Sequence, residues 1–87
     1  MKELRLRKDE LVWRDIDNEL IAVDVASSAY LSANPTGALL WQMLADGTTR
    51  EALVDRLVER FGISSEQAGT DIDAFLQELE ARRLLAS

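Results

Sequence analysis

The chain has 87 residues, sixteen acidic and ten basic side chains, a formal net charge of −6, no cysteine and no histidine. That length makes one domain, which buries roughly 60% of the surface its unfolded chain exposes. The missing residue types exclude disulfides, thiolate nucleophiles and cysteine-ligated zinc, together with the commonest general base and metal ligand.

The opening Met1 to Lys8 lacks the apolar stretch of a signal peptide, and no apolar run reaches the ~18 residues of a membrane span, so a cytoplasmic protein is expected. Lys2, Arg5, Arg7, Lys8 and Arg14 crowd basic charge into this first segment, which reads as a solvated surface. Leu4-Arg5-Leu6-Arg7 alternates, as does Leu11-Val12-Trp13-Arg14-Asp15-Ile16, predicting one or two strands interrupted at Lys8-Asp9-Glu10. Asp15 to Glu19 is a turn, since Asp and Asn tolerate left-handed backbone. Glu19 to Val25 is the clearest strand: Ile21, Val23 and Val25 share one face, Leu20, Ala22 and Asp24 the other, and the first face is the more apolar. Ala26-Ser27-Ser28 turns the chain into a short third strand from Ala29 to about Ala33, completing an antiparallel meander.

Helical spacing follows. Asn34 is a good N-cap, Pro35 suits the first helical position, and Gly37 lies just inside. Leu39, Leu40, Met43 and Leu44 then recur until Asp46-Gly47 stops the helix, with Trp41 beside them. Thr48-Thr49-Arg50-Glu51 has capping-box spacing and opens a second helix with the stripe Leu53, Val54, Leu57, Val58 and Phe61, ended by Gly62. Ser64-Ser65-Glu66-Gln67 opens a third, striped by Ala68, Ile72, Phe75, Leu76 and Leu79 and weakened at Gly69 by up to ~1 kcal/mol relative to alanine. Leu84-Leu85 folds back onto the core. The predicted architecture is α+β and winged helix-turn-helix-like over residues 1–87: a three-stranded antiparallel sheet within 4–33, then helices over 35–46, 49–61 and 65–83.

No chemistry competes with a binding role. Nothing supplies a nucleophile–base pair, so no enzyme is expected, and no cofactor. Asp15 with Asp17, and Asp71 with Asp73, lack the spacing of a calcium loop, so no metal site is expected. Nucleic acid is excluded on the helix a winged domain would insert. It carries Glu66, Asp71, Asp73, Glu78 and Glu80, with Arg82 and Arg83 only at its end, and carboxylates meeting phosphates reverse the main attractive term. A net charge of −6 likewise sets the chain against anionic membranes. What remains is a strand edge beside helices, which can capture an extended peptide.

The succession Val12-Trp13-Arg14, Leu20 to Asp24, Ala29-Tyr30-Leu31, Asn34-Pro35-Thr36-Gly37-Ala38 and Trp41, with Ala74 to Leu79 and Leu84-Leu85, resembles the PqqD-like proteins across nearly the whole chain. These are the precursor-peptide recognition elements of ribosomally synthesised, post-translationally modified peptide pathways. At this length the chain is most similar to the stand-alone B1 proteins of lasso-peptide biosynthesis. It departs at Ser27-Ser28, where relatives often carry a glycine-bearing turn, and at Ala33, where a larger apolar residue is common. The resemblance implies that a precursor's leader adds as a strand to the third strand, against the third helix. It also implies a leader with an aromatic residue and a proline, and service to a transglutaminase-like leader peptidase (B2) and a cyclase. Ala29, Tyr30, Leu31 and Ser32 then form the edge, while Asp71, Ala74, Phe75 and Glu78 form the helical wall, the acids meeting a basic leader residue. The plainer reading makes Phe75, Trp13 and Trp41 core residues and sets Asp71 near the favourable first turns of its helix. Two other roles stay open: presenting a peptide to a radical enzyme, as PqqD does, and a generic adaptor that pairs with a protein partner.

Overall fold

Strands β1 (Leu11–Ile16), β2 (Glu19–Asp24) and β3 (Ala29–Ala33) pair in that order as an antiparallel sheet, and helices α1 (Pro35–Asp46), α2 (Arg50–Phe61) and α3 (Ser65–Ala81) follow. The computed structural model describes residues 3–7, 9–17 and 19–86. The register sets Trp13 opposite Ala22, Ala22 opposite Leu31 and Val23 opposite Tyr30. The expected α+β meander with three trailing helices is therefore the observed fold. The predicted turn at 15–19 includes Asn18, which lies outside the described residues; Asp17 beside it takes a left-handed φ of 51°. Ser28, in the β2–β3 turn, does the same at 60°, a conformation that glycine adopts at less cost.

Three expectations need correction. Leu4 to Arg7 adds no strand to the sheet: Leu4 bridges Thr48 and Leu6 bridges Leu85, so the segment laces the helices together. Alternation in a sequence sets the spacing of side chains without naming the partner. The second helix is capped by Thr49, whose side chain accepts from Ala52 N, because Thr48 is engaged with Leu4; the expected capping box is absent. The third helix ends at Ala81 rather than 83, since Arg83 turns left-handed at φ 59°.

The remaining caps fall where expected. Asn34 Oδ1 accepts from Gly37 N at 2.9 Å, and Ser64 Oγ accepts from Gln67 N at 3.0 Å. Gly62 closes α2 in the left-handed region. The core gathers Trp41, Leu20, Leu40, Leu44, Leu53, Leu57, Ile72 and Leu79, all fully buried, with Leu84 folded onto them. Trp13 meets Trp41 edge to face at 5.8 Å. Phe61, read as part of the α2 stripe, is exposed, with Arg60 over its ring.

The sheet turns its more apolar face outward. Leu20, Ala22 and Asp24 are buried, whereas Ile21, Val23 and Val25 are exposed, as are Val12 and Ile16 beside them. Ala22 explains the choice: opposite Trp13, a small side chain leaves room for the indoles beneath the sheet.

Candidate functional site

Strand β3 pairs with β2 on one side, and among the described residues no strand pairs with its other side. Two cavities lie along that edge, one of them against α3 and the other against the turn that follows it. The first, about 140 Å³, sits at the N-terminal end of β3. Leu11, Ala22, Leu31 and Leu84 supply apolar wall, Asp24 and Ser27 the polar part, and Arg82 its helical side. The second, about 210 Å³, sits at the other end of β3, between Leu31, Ser32 and Ala33 of the strand and Phe75, Glu78 and Leu79 of α3. Leu31 lines both and so divides the groove in two.

Local sequence explains each wall. Inward parity along β3 falls on Ala29, Leu31 and Ala33, so one large residue stands between two small ones. The small ones make the hollows. Ala33 matters most, because a larger residue there would fill the second cavity. Gly37 also lines that cavity, and a Cβ on it would lie 3.0 Å from Ala33 Cβ and 3.4 Å from Phe75 Cε1. The Asn34–Gly37 run thus both starts a helix and floors the groove.

Six of the eight expected residues border the cavities. Ala29, Tyr30 and Leu31 line the first, and Leu31, Ser32, Phe75 and Glu78 line the second. Tyr30 pairs with Val23 on the outer face and is 73% exposed. Phe75 is half-buried, packed against the core and lining the second cavity. Asp71 and Ala74 line neither cavity. Asp71 accepts from Gln67 Nε2 at 2.9 Å, and Glu78 pairs with Arg82 at 3.2 Å. Each carboxylate expected to meet a basic leader residue therefore has an intramolecular partner.

Sequence reasoning missed Leu11, Ala22, Asp24, Ser27, Arg82 and Leu84 as lining of the first cavity, and Ala33, Asn34, Gly37 and Leu79 as lining of the second. Asp24 carried a signal, a lone acid at the parity of Leu20 and Ala22. It is 9% exposed, and its carboxyl is held below the ordinary 3.8 by the hydrogen bond from Arg7. Among the described residues no group of three acids, cysteines or histidines is placed to hold a metal ion, and no helix is long and apolar enough to cross a membrane.

The outer face of the sheet is a second surface of note. Val12, Ile16, Ile21 and Val23 surround a shallow hollow of about 210 Å³ there.

Comparison with known proteins bears on the groove. The family described as coenzyme PQQ synthesis protein D (PqqD) matches residues 19–85. Two solved structures share the fold. TbiB1 in complex with the TbiA(beta) leader peptide is 23% identical, with a TM-score of 0.88 over 95% of each chain. A lasso peptide synthetase B1 complexed with the leader peptide is 26% identical, with a TM-score of 0.84 over 97% of this chain and 98% of that one. No curated protein matches the sequence.

Proposed function

The chain belongs to the PqqD family, and from that premise we propose that it is a non-catalytic leader-peptide-binding protein of lasso-peptide biosynthesis. The carrying observation is the β3 edge left unpaired among the described residues, with two cavities divided by Leu31 along it, one against α3 and one against the turn after α3. The likeness to two B1 proteins, each complexed with a leader peptide, supports it. An added strand places alternate side chains about 7 Å apart on one face, so two of them reach the hollows on either side of Leu31.

Magnitudes divide the labour. Four to six main-chain hydrogen bonds at about 0.5–1.5 kcal/mol each are largely offset by the ~2–5 kcal/mol needed to order a flexible leader. Burying one large apolar side chain adds roughly 1.5–3 kcal/mol. The strand edge fixes direction and register, and the cavities select the leader.

Presentation needs a second partner, and the outer sheet face supports one. Contiguous exposed apolar residues mark protein contacts, and Val12, Ile16, Ile21 and Val23 adjoin Tyr30 on the strand that receives the leader. We assign this face to the modifying enzymes, a transglutaminase-like leader peptidase and a cyclase, with the work done in the cytoplasm. The family's own description keeps a second reading open, service to a radical enzyme as in coenzyme PQQ synthesis. The neighbouring genes separate the two.

The test is a titration of the fluorescein-labelled leader of the precursor encoded beside the gene. Binding is expected in the nanomolar-to-micromolar range, and Leu31→Arg should weaken it at least about tenfold, or ~1.4 kcal/mol. Leaders N-methylated at successive amides should lose affinity at every second position, since only alternate N–H groups face the strand edge. A folded Leu31→Arg chain that binds unchanged, with no alternation among the N-methylated leaders, sinks the proposal.

A further inference from the structure

The basic N-terminal segment, which the groove residues above do not include, holds a bridge between the groove's two walls. Arg7 Nη2 donates to Asp24 Oδ1 at 2.6 Å, Nη1 donates to Arg83 O at 2.9 Å, and Nε donates to Asp9 O at 3.0 Å. Asp24 ends β2 opposite Ala29, the first residue of β3, so it belongs to the strand wall. Arg83 lies in the turn after α3, between Arg82 and Leu84, which line the first cavity opposite the strands. One guanidinium therefore bonds both walls at the same end of the groove. The backbone of Arg7 reinforces the link by donating to Leu84 O at 2.8 Å. Asp24 Oδ1 also accepts from Ala26 N at 3.2 Å, which extends the hold into the turn that delivers β3. Asp24 and Leu84 both line the first cavity.

We propose that Arg7 is a positioning residue of the peptide groove: its guanidinium ties the β2–β3 turn to the turn after α3 and so sets the width of the first cavity. The proposal rests on the leader-binding reading and adds to it the chemistry of one subsite. Asp24 and Arg7 neutralise each other, while Arg82 is paired with Glu78. The cavity thus offers mostly apolar wall with its one acid already engaged by Arg7, and the leader side chain it takes is not basic. Arginine is needed because its planar fork reaches three acceptors at fixed angles, whereas the point charge of lysine cannot.

Amide exchange on the free full-length chain tests the bridge without any ligand. In Arg7→Lys, exchange at Ala26 and Leu84 should speed up about tenfold relative to Leu53 and Leu57 in α2, which lie away from the bridge. Uniform acceleration at all four amides means that Arg7 supplies global stability only, and it overturns the proposal. An alanine scan of the labelled leader tests the consequence. Arg7→Lys should weaken the native leader about tenfold, and one leader position should lose its alanine cost in that background. If the native leader binds Arg7→Lys as it binds wild type, or every alanine cost is unchanged, the bridge plays no part in recognition. A wild-type chain that ignores the leader removes the leader-binding reading and with it this role, while the exchange data still decide whether the bridge holds the walls.

Discussion

At the scale of single residues, two glycines show why identical substitutions part company. Both Gly37 and Gly69 lie inside helices, where alanine is favoured by up to ~1 kcal/mol. A Cβ at Gly69 meets Arg50 Nη2 at 2.9 Å, the mobile end of a long side chain. That guanidinium can swing aside, giving up only a half-exposed, solvent-screened pair with Asp73. A Cβ at Gly37 meets Ala33 Cβ at 3.0 Å, an atom that moves only with its backbone, and Phe75 behind it. Overpacking of that kind costs about 1–3 kcal/mol. Urea melts should therefore find Gly69→Ala within about 0.5 kcal/mol of wild type and Gly37→Ala less stable by about 1–2 kcal/mol. Gly37→Ala should also weaken leader binding, because its methyl enters the second cavity. Equal stabilities for the two variants would contradict the geometry. Neither outcome was legible in the sequence, which assigns Gly69 a helix cost and gives no sign that Arg50 lies across it.

At the scale of elements, most of what could be read locally was read correctly, the exceptions being the Thr48 capping box and the end of α3. Asn34 and Ser64 cap helices because their side chains bond amides three residues ahead, and Gly62 ends one because few other residues accept its backbone. The order of strands and helices followed from two periodicities, and the β3 edge followed from that order. What escaped depends on distant partners. The alternation of Leu4 to Arg7 suits a strand in the sheet as well as the bridges it makes to Thr48 and Leu85. The two faces of β2 were told apart, but the sequence does not say which of them the helices cover. The groove suffers in the same way: its edge residues are consecutive and visible, whereas Leu11, Asp24, Arg82 and Leu84 meet only after folding. The face assignment has a sharp test in neighbouring residues. Ala22 is fully buried opposite Trp13, and Val23 is exposed. Ala22→Leu should cost about 1–3 kcal/mol, while Val23→Leu should stay within about 0.5 kcal/mol of wild type. The reverse order would put the core on the other side of the sheet.

At the scale of the whole molecule, two ion pairs join parts that the backbone leaves apart, and both make the fold sensitive to acid. Arg7–Asp24 ties the N-terminal segment to the sheet, and Arg50–Asp73 ties the start of α2 to α3 through paired contacts of 2.8 and 3.0 Å. In each case the hydrogen bond from arginine holds the aspartate below its ordinary 3.8. The sign follows. Above that value the carboxylates are ionised in folded and unfolded chains alike, so their full contribution is present. Below it the unfolded chain takes up protons first and stability falls, until the folded-state values are passed and the contribution is gone. Among the described residues the charged and polar groups around Asp24 are Arg7, Ser27 and the Ala26 amide, with Arg82 on the same cavity, and none of them is a second acid. Urea melts should find Asp24→Asn less stable than wild type at pH 7, with the gap closing as the pH falls through the lowered folded-state value. Asp73→Asn should show a gap that closes the same way but shrinks further in molar salt, because that pair is half-exposed and screened while Asp24 is shielded. Leader affinity should follow the Asp24 gap and ignore the Asp73 gap, since only Asp24 borders the groove. A gap for Asp24→Asn that persists unchanged throughout the acid titration would mean that the side chain acts through its shape and hydrogen bonds alone, and that its charge contributes nothing.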